Sequence, residues 1–228
     1  SVCQSQHANL LVELDEDHAV GEPLHRGPSR AKARAHPTRE RERLRGLGDP
    51  HTVMPAIHLG GTNGKGSVAA LVAEALSAAG WRVGLYTSPH LVSFRERIRV
   101  DGVPISEEAV AMWTGRLRPL VTELGATFFE ATTAMAFADF ASRGAEIAVV
   151  EVGLGGRLDS TNVVTPLVSA VTKIAMDHMK YLGDTLPDIA REKAGIAKPG
   201  VPFVIGERDP AVVEVLRREA RRRAHDAG

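Results

Sequence analysis

The stretch Ala56-Ile57-His58-Leu59-Gly60-Gly61-Thr62-Asn63-Gly64-Lys65-Gly66-Ser67, running into the Ala/Leu-rich segment SVAALVAEALSAA from Ser67 to Ala79, sets the architecture. Ala56 to Gly60 is short and apolar enough for a buried strand. The run from Ser67 has helical composition and stops at Gly80. Arg82 to Thr87 then reads as a second strand, so the whole is a β-α-β unit. Glycines at its first turn let consecutive N–H groups converge on a phosphate, and the helix N-terminus adds a partial positive charge. Lys65 is spaced to reach the β- and γ-phosphates. The strict pattern G-x-x-x-x-G-K-[ST] is not met, because its first glycine falls at Leu59 and Gly66 follows the lysine. A glycine-rich turn with a solvated lysine is the plain alternative; the strand before it and the helix after it favour a nucleotide.

Outward from this unit the alternation continues. Ile98 to Ile105 alternates apolar and polar residues around Asp101-Gly102, which predicts a small antiparallel flap closed by a turn whose central residues need positive φ. Ser106 is placed to cap a helix that carries Glu107 and Glu108 in its first turn and runs to about Leu124. A second helix is predicted from about Ala131 to Ser142. Ile147 to Val152 is a continuous β-branched run, as in a strand covered on both faces, and Leu167 to Ile174 repeats that character. Helix 186–197, strand Phe203 to Ile205 and a basic helix 210–224 follow. Toward the N-terminus, Arg39 to Leu47 reads as a short basic helix closed by Gly48 and Pro50. Residues 1–37 show no sustained period and are expected to be irregular. The pattern is that of an α/β domain with a doubly wound, mostly parallel sheet.

Lysine plus arginine and aspartate plus glutamate each number 28 in the 228 residues, for a formal net charge of zero. No global field is available to hold nucleic acid or an anionic membrane, so an anionic ligand needs a local device such as the glycine loop. Hydrophobic residues at 43% and charged residues at 25% exclude a wholly disordered, collagen-like or coiled-coil chain. Cys3 is the one cysteine, which excludes an internal disulfide and points to a reducing compartment. No apolar run approaches the roughly 20 residues of a membrane helix, and no signal-peptide pattern is present, so a cytoplasmic protein is expected.

Five ordered motifs extend the reading. They are GTNGKGS (Gly61 to Ser67), TSPHLVSFRERIRVDG (Thr87 to Gly102), VVEVGLGGRLDSTN (Val149 to Asn162), DHMKYLG (Asp177 to Gly183) and REKAGIAKPG (Arg191 to Gly200). Together, over about residues 40–210, they resemble the folylpolyglutamate synthase / dihydrofolate synthase group of the Mur ligases. The resemblance implies an ATP-dependent amide ligase of folate biosynthesis and one-carbon metabolism. In such an enzyme ATP phosphorylates a carboxylate of a folate or dihydropteroate, and the amine of L-glutamate attacks the acyl phosphate to give amide, ADP and phosphate. Thr62, Asn63, Gly64, Lys65, Gly66 and Ser67 are then the nucleotide-binding residues. Ser88, Glu151 and His178 match the family's magnesium ligands, and each follows a predicted strand at the carboxyl end, where open α/β sheets place ligands. Singly they read as a turn serine, a strand-end carboxylate and a loop histidine.

Lys193 matches a lysine that the family carries as a carbamate, which requires a neutral amine. Alone it reads as a helix-surface lysine paired with Glu192 or Asp188. Lys65, Lys193 and His178 are the implied catalytic residues. Thr127, Phe128, Phe129 and Glu130, with Leu158, Asp159 and Ser160, match segments lining the pteroate pocket. There aromatic faces can stack on a pterin and Asp159 can bond its ring nitrogens, although both phenylalanines read equally well as core. Arg97 and His90 read as folate or phosphate contacts or as solvated hairpin charges, and Asn162 as a loop support or a turn end.

Two departures from the family accompany the resemblance. Residues 1–35 do not read like its opening segment, and the family continues beyond Gly228 for about another domain of ~100–200 residues. Residues 38–228 are therefore expected to be the ATP-binding domain, incomplete, with the C-terminal ligase domain absent. A truncated, catalytically silent nucleotide-binding fragment is the alternative expectation. An unrelated P-loop GTPase is disfavoured, since Thr172-Lys173-Ile174-Ala175 only faintly echoes N-K-x-D. The expected partners are small molecules, namely ATP, folate or dihydropteroate, and L-glutamate, bound by a monomer.

Overall fold

A computed structural model describes residues 37–225; Cys3 and the segment expected to be irregular lie, up to residue 36, outside the described residues. The first described helix is α1 (Pro37–Gly46), and a 3-10 turn, Pro50–Thr52, leads from it into β1 (Ala56–Gly60). With α2 (Lys65–Ala78) and β2 (Val83–Tyr86), β1 forms the β-α-β unit. Next come β3 (Ile98–Val100), β4 (Val103–Pro104), α3 (Glu107–Leu124), α4 (Phe128–Ser142) and β5 (Ile147–Glu151). The remainder is β6 (Val168–Val171), the single turn α5 (Met179–Leu182), α6 (Leu186–Lys193), β7 (Phe203–Ile205) and α7 (Pro210–His225).

Seven strands form one sheet in the order β4-β3-β2-β5-β1-β6-β7. The five from β2 to β7 in that order run parallel. β3 and β4 are antiparallel at one edge, so the expected flap is an extension of the main sheet rather than a separate piece. Its turn has the required positive φ at Asp101 (51°) and Gly102 (73°). Asp101 Oδ1 accepts from Val83 N at 2.9 Å and fastens the turn to β2.

Helices cover both faces, which is why β5 is continuously apolar. Its Ile147 and Val149 pack toward α2 with Leu59, Ala69 and Leu85. Its Ala148 and Val150 face the opposite way, toward Met135, Phe137 and Phe140 of α4. The Phe140 ring lies directly on Gly84, where a Cβ would come within 2.7 Å of it. A third cluster joins β6 to α6 and α7 through Val171, Ile189, Ile196 and Leu216. Each such buried side chain contributes about 1.5–3 kcal/mol.

Two helix ends differ from expectation. α4 begins at Phe128, three residues before Ala131, because Thr127 and Glu130 form a capping box around its first turn. The helix expected over 186–197 leaves α geometry after Lys193 and continues as a 3-10 turn, Ala194–Ile196. There Gly195 presses on the backbone of Arg157, and a Cβ would come within 2.4 Å of its Cα.

Candidate active site

The glycine loop joins the carboxyl end of β1 to α2, at the centre of the sheet. The segment after β6 stitches it in place. Thr62 N donates to Lys173 O (2.8 Å), and Thr62 Oγ1 accepts from Ala175 N (3.1 Å). Thr172 Oγ1 donates to Asn63 O (2.8 Å). The Thr172–Ala175 segment, which faintly echoed a guanine-reading motif, is thus a wall of the phosphate loop. Gly61 has φ +135°, and a Cβ on it would overlap Thr172 Oγ1 at 1.9 Å, so this turn requires glycine. Gly64 (φ 83°) precedes the first helical residue, Lys65, and no side chain caps the turn. With no acidic residue in that turn, the first N–H groups of α2 and its positive end are left to an anion. Lys65 Nζ curls back onto Thr62 O at 3.2 Å.

Glu151 ends β5 and is buried beside this turn; its Oε2 lies within 3.4 Å of where a Gly66 Cβ would stand. Ser88, just past β2, donates its backbone N–H to the same oxygen at 2.9 Å. Burial raises the Glu151 carboxyl above the usual carboxylate range, opposed by the Ser88 hydrogen bond and by Lys65. Ser88 and Glu151 are therefore brought together. His178 has an exposed ring, and its Nε2 lies 3.6 Å from Oδ1 of the adjacent Asp177. Among the described residues no three His, Cys, Asp or Glu side chains gather as a metal-binding group. A site of one carboxylate and one hydroxyl, completed by phosphate oxygens and water, suits magnesium, which prefers oxygen and keeps part of its hydration. Glu151 and a serine hydroxyl such as that of Ser88 are donors of the kind that requirement calls for.

Lys193 is buried at 4% exposure and donates Nζ–H to Gly61 O at 2.8 Å, inside the phosphate loop. Burial first, then the Lys65 charge, pulls its ammonium down to about 8, with Asp177 opposing. The surface-lysine reading fails because both candidate acids are engaged elsewhere. Glu192 holds Arg157 at 2.8 Å, and Asp188 holds Arg191 at 2.6 Å. The Arg157–Glu192 pair, absent from the sequence reading, ties the loop after β5 to the helix carrying Lys193; its only signal was the position of Glu192 next to that lysine.

The proposed pocket residues carry visible structural duties. Thr127 Oγ1 caps α4, and Glu130 Oε2 accepts from Thr127 N at 2.7 Å. Glu130 Oε1 also meets the buried Arg43 of α1 at 3.1 Å, and Arg43 in turn meets Glu40 at 2.9 Å. Burial raises the Glu40 carboxyl to about 8. Phe128 is buried under the Arg97 guanidinium, 5.3 Å from ring centre. Phe129 is half-buried, lies over Gly153 and sits 5.9 Å from the Tyr86 ring. Asp159 is buried with both oxygens filled. Oδ2 accepts from Gly153 N (3.1 Å) and Leu154 N (2.9 Å). Oδ1 accepts from the Thr161 amide (2.9 Å) and, closely, its hydroxyl. Ser160 Oγ accepts from Thr133 Oγ1 at 3.5 Å, and Leu158 is half-buried. Arg97 is no solvated charge, being 8% exposed with Nε donating to His90 Nδ1 at 2.8 Å. Asn162 supports its loop, donating to Arg157 O and Gly195 O.

No helix among the described residues is long and apolar enough to cross a membrane. Residues 59–226 match the Mur ligase middle domain. The dihydrofolate synthase/folylpolyglutamate synthase of Bacillus subtilis (strain 168) is 45% identical over 194 residues, covering 79% of this chain and 45% of that protein. The crystal structure of folylpolyglutamate synthase from Thermotoga maritima superposes with a TM-score of 0.80 at 42% identity, over 96% of this chain and 48% of that one. An FPGS–AMPPCP–folate complex superposes with a TM-score of 0.82 at 37% identity, over 96% and 52%. The chain thus spans about half the length of the curated relatives it matches. With this family match over most of its length, the chain belongs to the Mur ligase family, whose middle domain it carries.

Proposed function

We propose that this chain supplies the ATP-binding and phosphate-activating half of an amide ligase that adds L-glutamate to a folate or dihydropteroate carboxylate. The observation that carries the reading is the gathering of Lys65, Ser88, Glu151 and Lys193 around one glycine loop at the carboxyl ends of β1, β2 and β5. In the reaction the carboxylate oxygen attacks the γ-phosphorus of ATP and ADP leaves. The glutamate amine then attacks the acyl carbon, phosphate leaves, and the amine's surplus protons pass to water.

The α2 N–H groups and Lys65 hold the phosphates, and the stitched loop keeps those donors in place before the nucleotide arrives. Ser88 and Glu151, with His178, would hold magnesium, which would offset the phosphate charge during transfer. Lys193, which gives its amine to Gly61 O, is the carbamate candidate: a neutral amine and carbon dioxide give an anionic carbamate and a proton. Phe129, Leu158 and the loop around Asp159 flank the acceptor; Asp159 acts there by shaping the loop, its own lone pairs being filled. The protein is read as a cytoplasmic monomer in keeping with its single cysteine.

Incubation with magnesium, ATP, labelled glutamate and either dihydropteroate or tetrahydrofolate tests the reading. Glutamylated product is the expected result. ADP release without product would restrict this chain to activation, and nucleotide binding unaffected by Lys65→Ala would overturn the site.

A further inference from the structure

We infer that the cavity at the amino-terminal end of β1 is a second ligand site, built for a small oxyanion (carboxylate or phosphate) attached to an apolar body. This inference is independent of the ligase reading. The cavity measures about 460 Å³ and is lined by Arg41, His51, Val53, Met54, Val163 and Thr165 among others. Small-molecule sites run about 300–1,000 Å³. β1 has five residues, about 17 Å, and the phosphate loop leaves its opposite end, so the two sites share no residue.

Positive charge collects at this cavity. Arg41 is exposed, and the described groups that feel its charge are two other bases, His51 and Lys198, whose charged forms it disfavours. Lys198 rests Nζ on Asn162 O (2.9 Å), the carbonyl next to Val163 of the wall. Burial, then Arg41, then Arg223 lower its ammonium to about 8. Arg223 is matched by Glu219 at 3.0 Å, and Asp49 is the carboxylate that faces His51. Among the described residues neither Arg41 nor Lys198 is paired with a carboxylate, and each charge disfavours the other. Burial and Arg41 favour the neutral form of His51, and its Nδ1 is buried without a hydrogen-bond partner while its ring edge packs on Phe137.

Like charges held close raise each other's free energy, and an oxyanion between them removes that cost. A guanidinium offers such a group a two-point contact. Val53, Met54 and Val163 then take the attached hydrocarbon.

The test uses isotopically labelled Lys65→Ala protein, so that the phosphate loop contributes least. Backbone amide shifts are followed during titration with inorganic phosphate and, separately, with glutarate. Saturable shifts are expected at Val53 and Thr165, with affinity falling about tenfold or more in Arg41→Ala and in Lys198→Met, a loss of ~1.4 kcal/mol. Arg41 is on the surface of α1, so its removal leaves the core intact. Saturation by phosphate alone or by glutarate alone supports the site and names its oxyanion. No saturable shift at these amides from either probe, or affinities unchanged in both variants, would overturn it.

Discussion

Lysines at helix ends ordinarily reach into water, where both the charge and the flexible stem are best accommodated. Lys193 ends α6 but runs inward to the Gly61 carbonyl, and desolvation there makes its amine titrate near pH 8. Above that pH the amine is neutral, so carbamate formation is expected to increase as pH rises through about 8. Carbon-13 NMR in labelled bicarbonate should show a carbamate signal that grows between pH 7 and 9 and is missing in Lys193→Met. A signal of equal size in that variant would remove Lys193 from the role. The motif around Lys193 was legible in sequence, whereas its burial was not. What decided it was long range: Arg157 captured Glu192, and the Gly61 carbonyl, far away in the chain, took the Lys193 amine.

Among the elements, the loop after β5 gains its shape from one side chain. Asp159 receives N–H groups from Gly153, Leu154 and Thr161 and a hydroxyl proton from Thr161, and burial still raises its carboxyl above the usual range against these donors. An asparagine would turn an NH₂ toward these donors and leave them unpaired. Asp159→Asn is expected to cost about 2–4 kcal/mol, read as a lower urea midpoint at unchanged slope. A loss under about 0.5 kcal/mol would mean that the loop is held by something else. Local chemistry made other elements readable in advance: Ser106 caps α3 as its position implied, and β1 and β7 match their predicted spans. The α4 boundary lies three residues ahead of the predicted one because Thr127 and Glu130, at capping-box spacing, close the first turn at Phe128.

On the scale of the whole molecule, the sheet order places β1 between β5 and β6, so Glu151 and the Thr172–Ala175 wall flank the phosphate loop on opposite sides. A nucleotide seated there binds only the folded chain. MgATP at about 100 times its dissociation constant should add ~2.7 kcal/mol, raising the thermal midpoint by roughly 5–10 °C. The shift should shrink in Lys65→Ala; an equal shift would place the nucleotide elsewhere. The amino-acid order by itself determined the alternation of strands and helices, the phosphate-binding turn and the family resemblance. These rest on periodicity and on residues adjacent in the chain. Tertiary structure alone decided that the flap joins the sheet, that Ser88 meets Glu151, and that Lys193 is buried. Those outcomes depend on which distant groups compete for the same hydrogen bonds and the same dry space, and such competition is settled only when the layers pack.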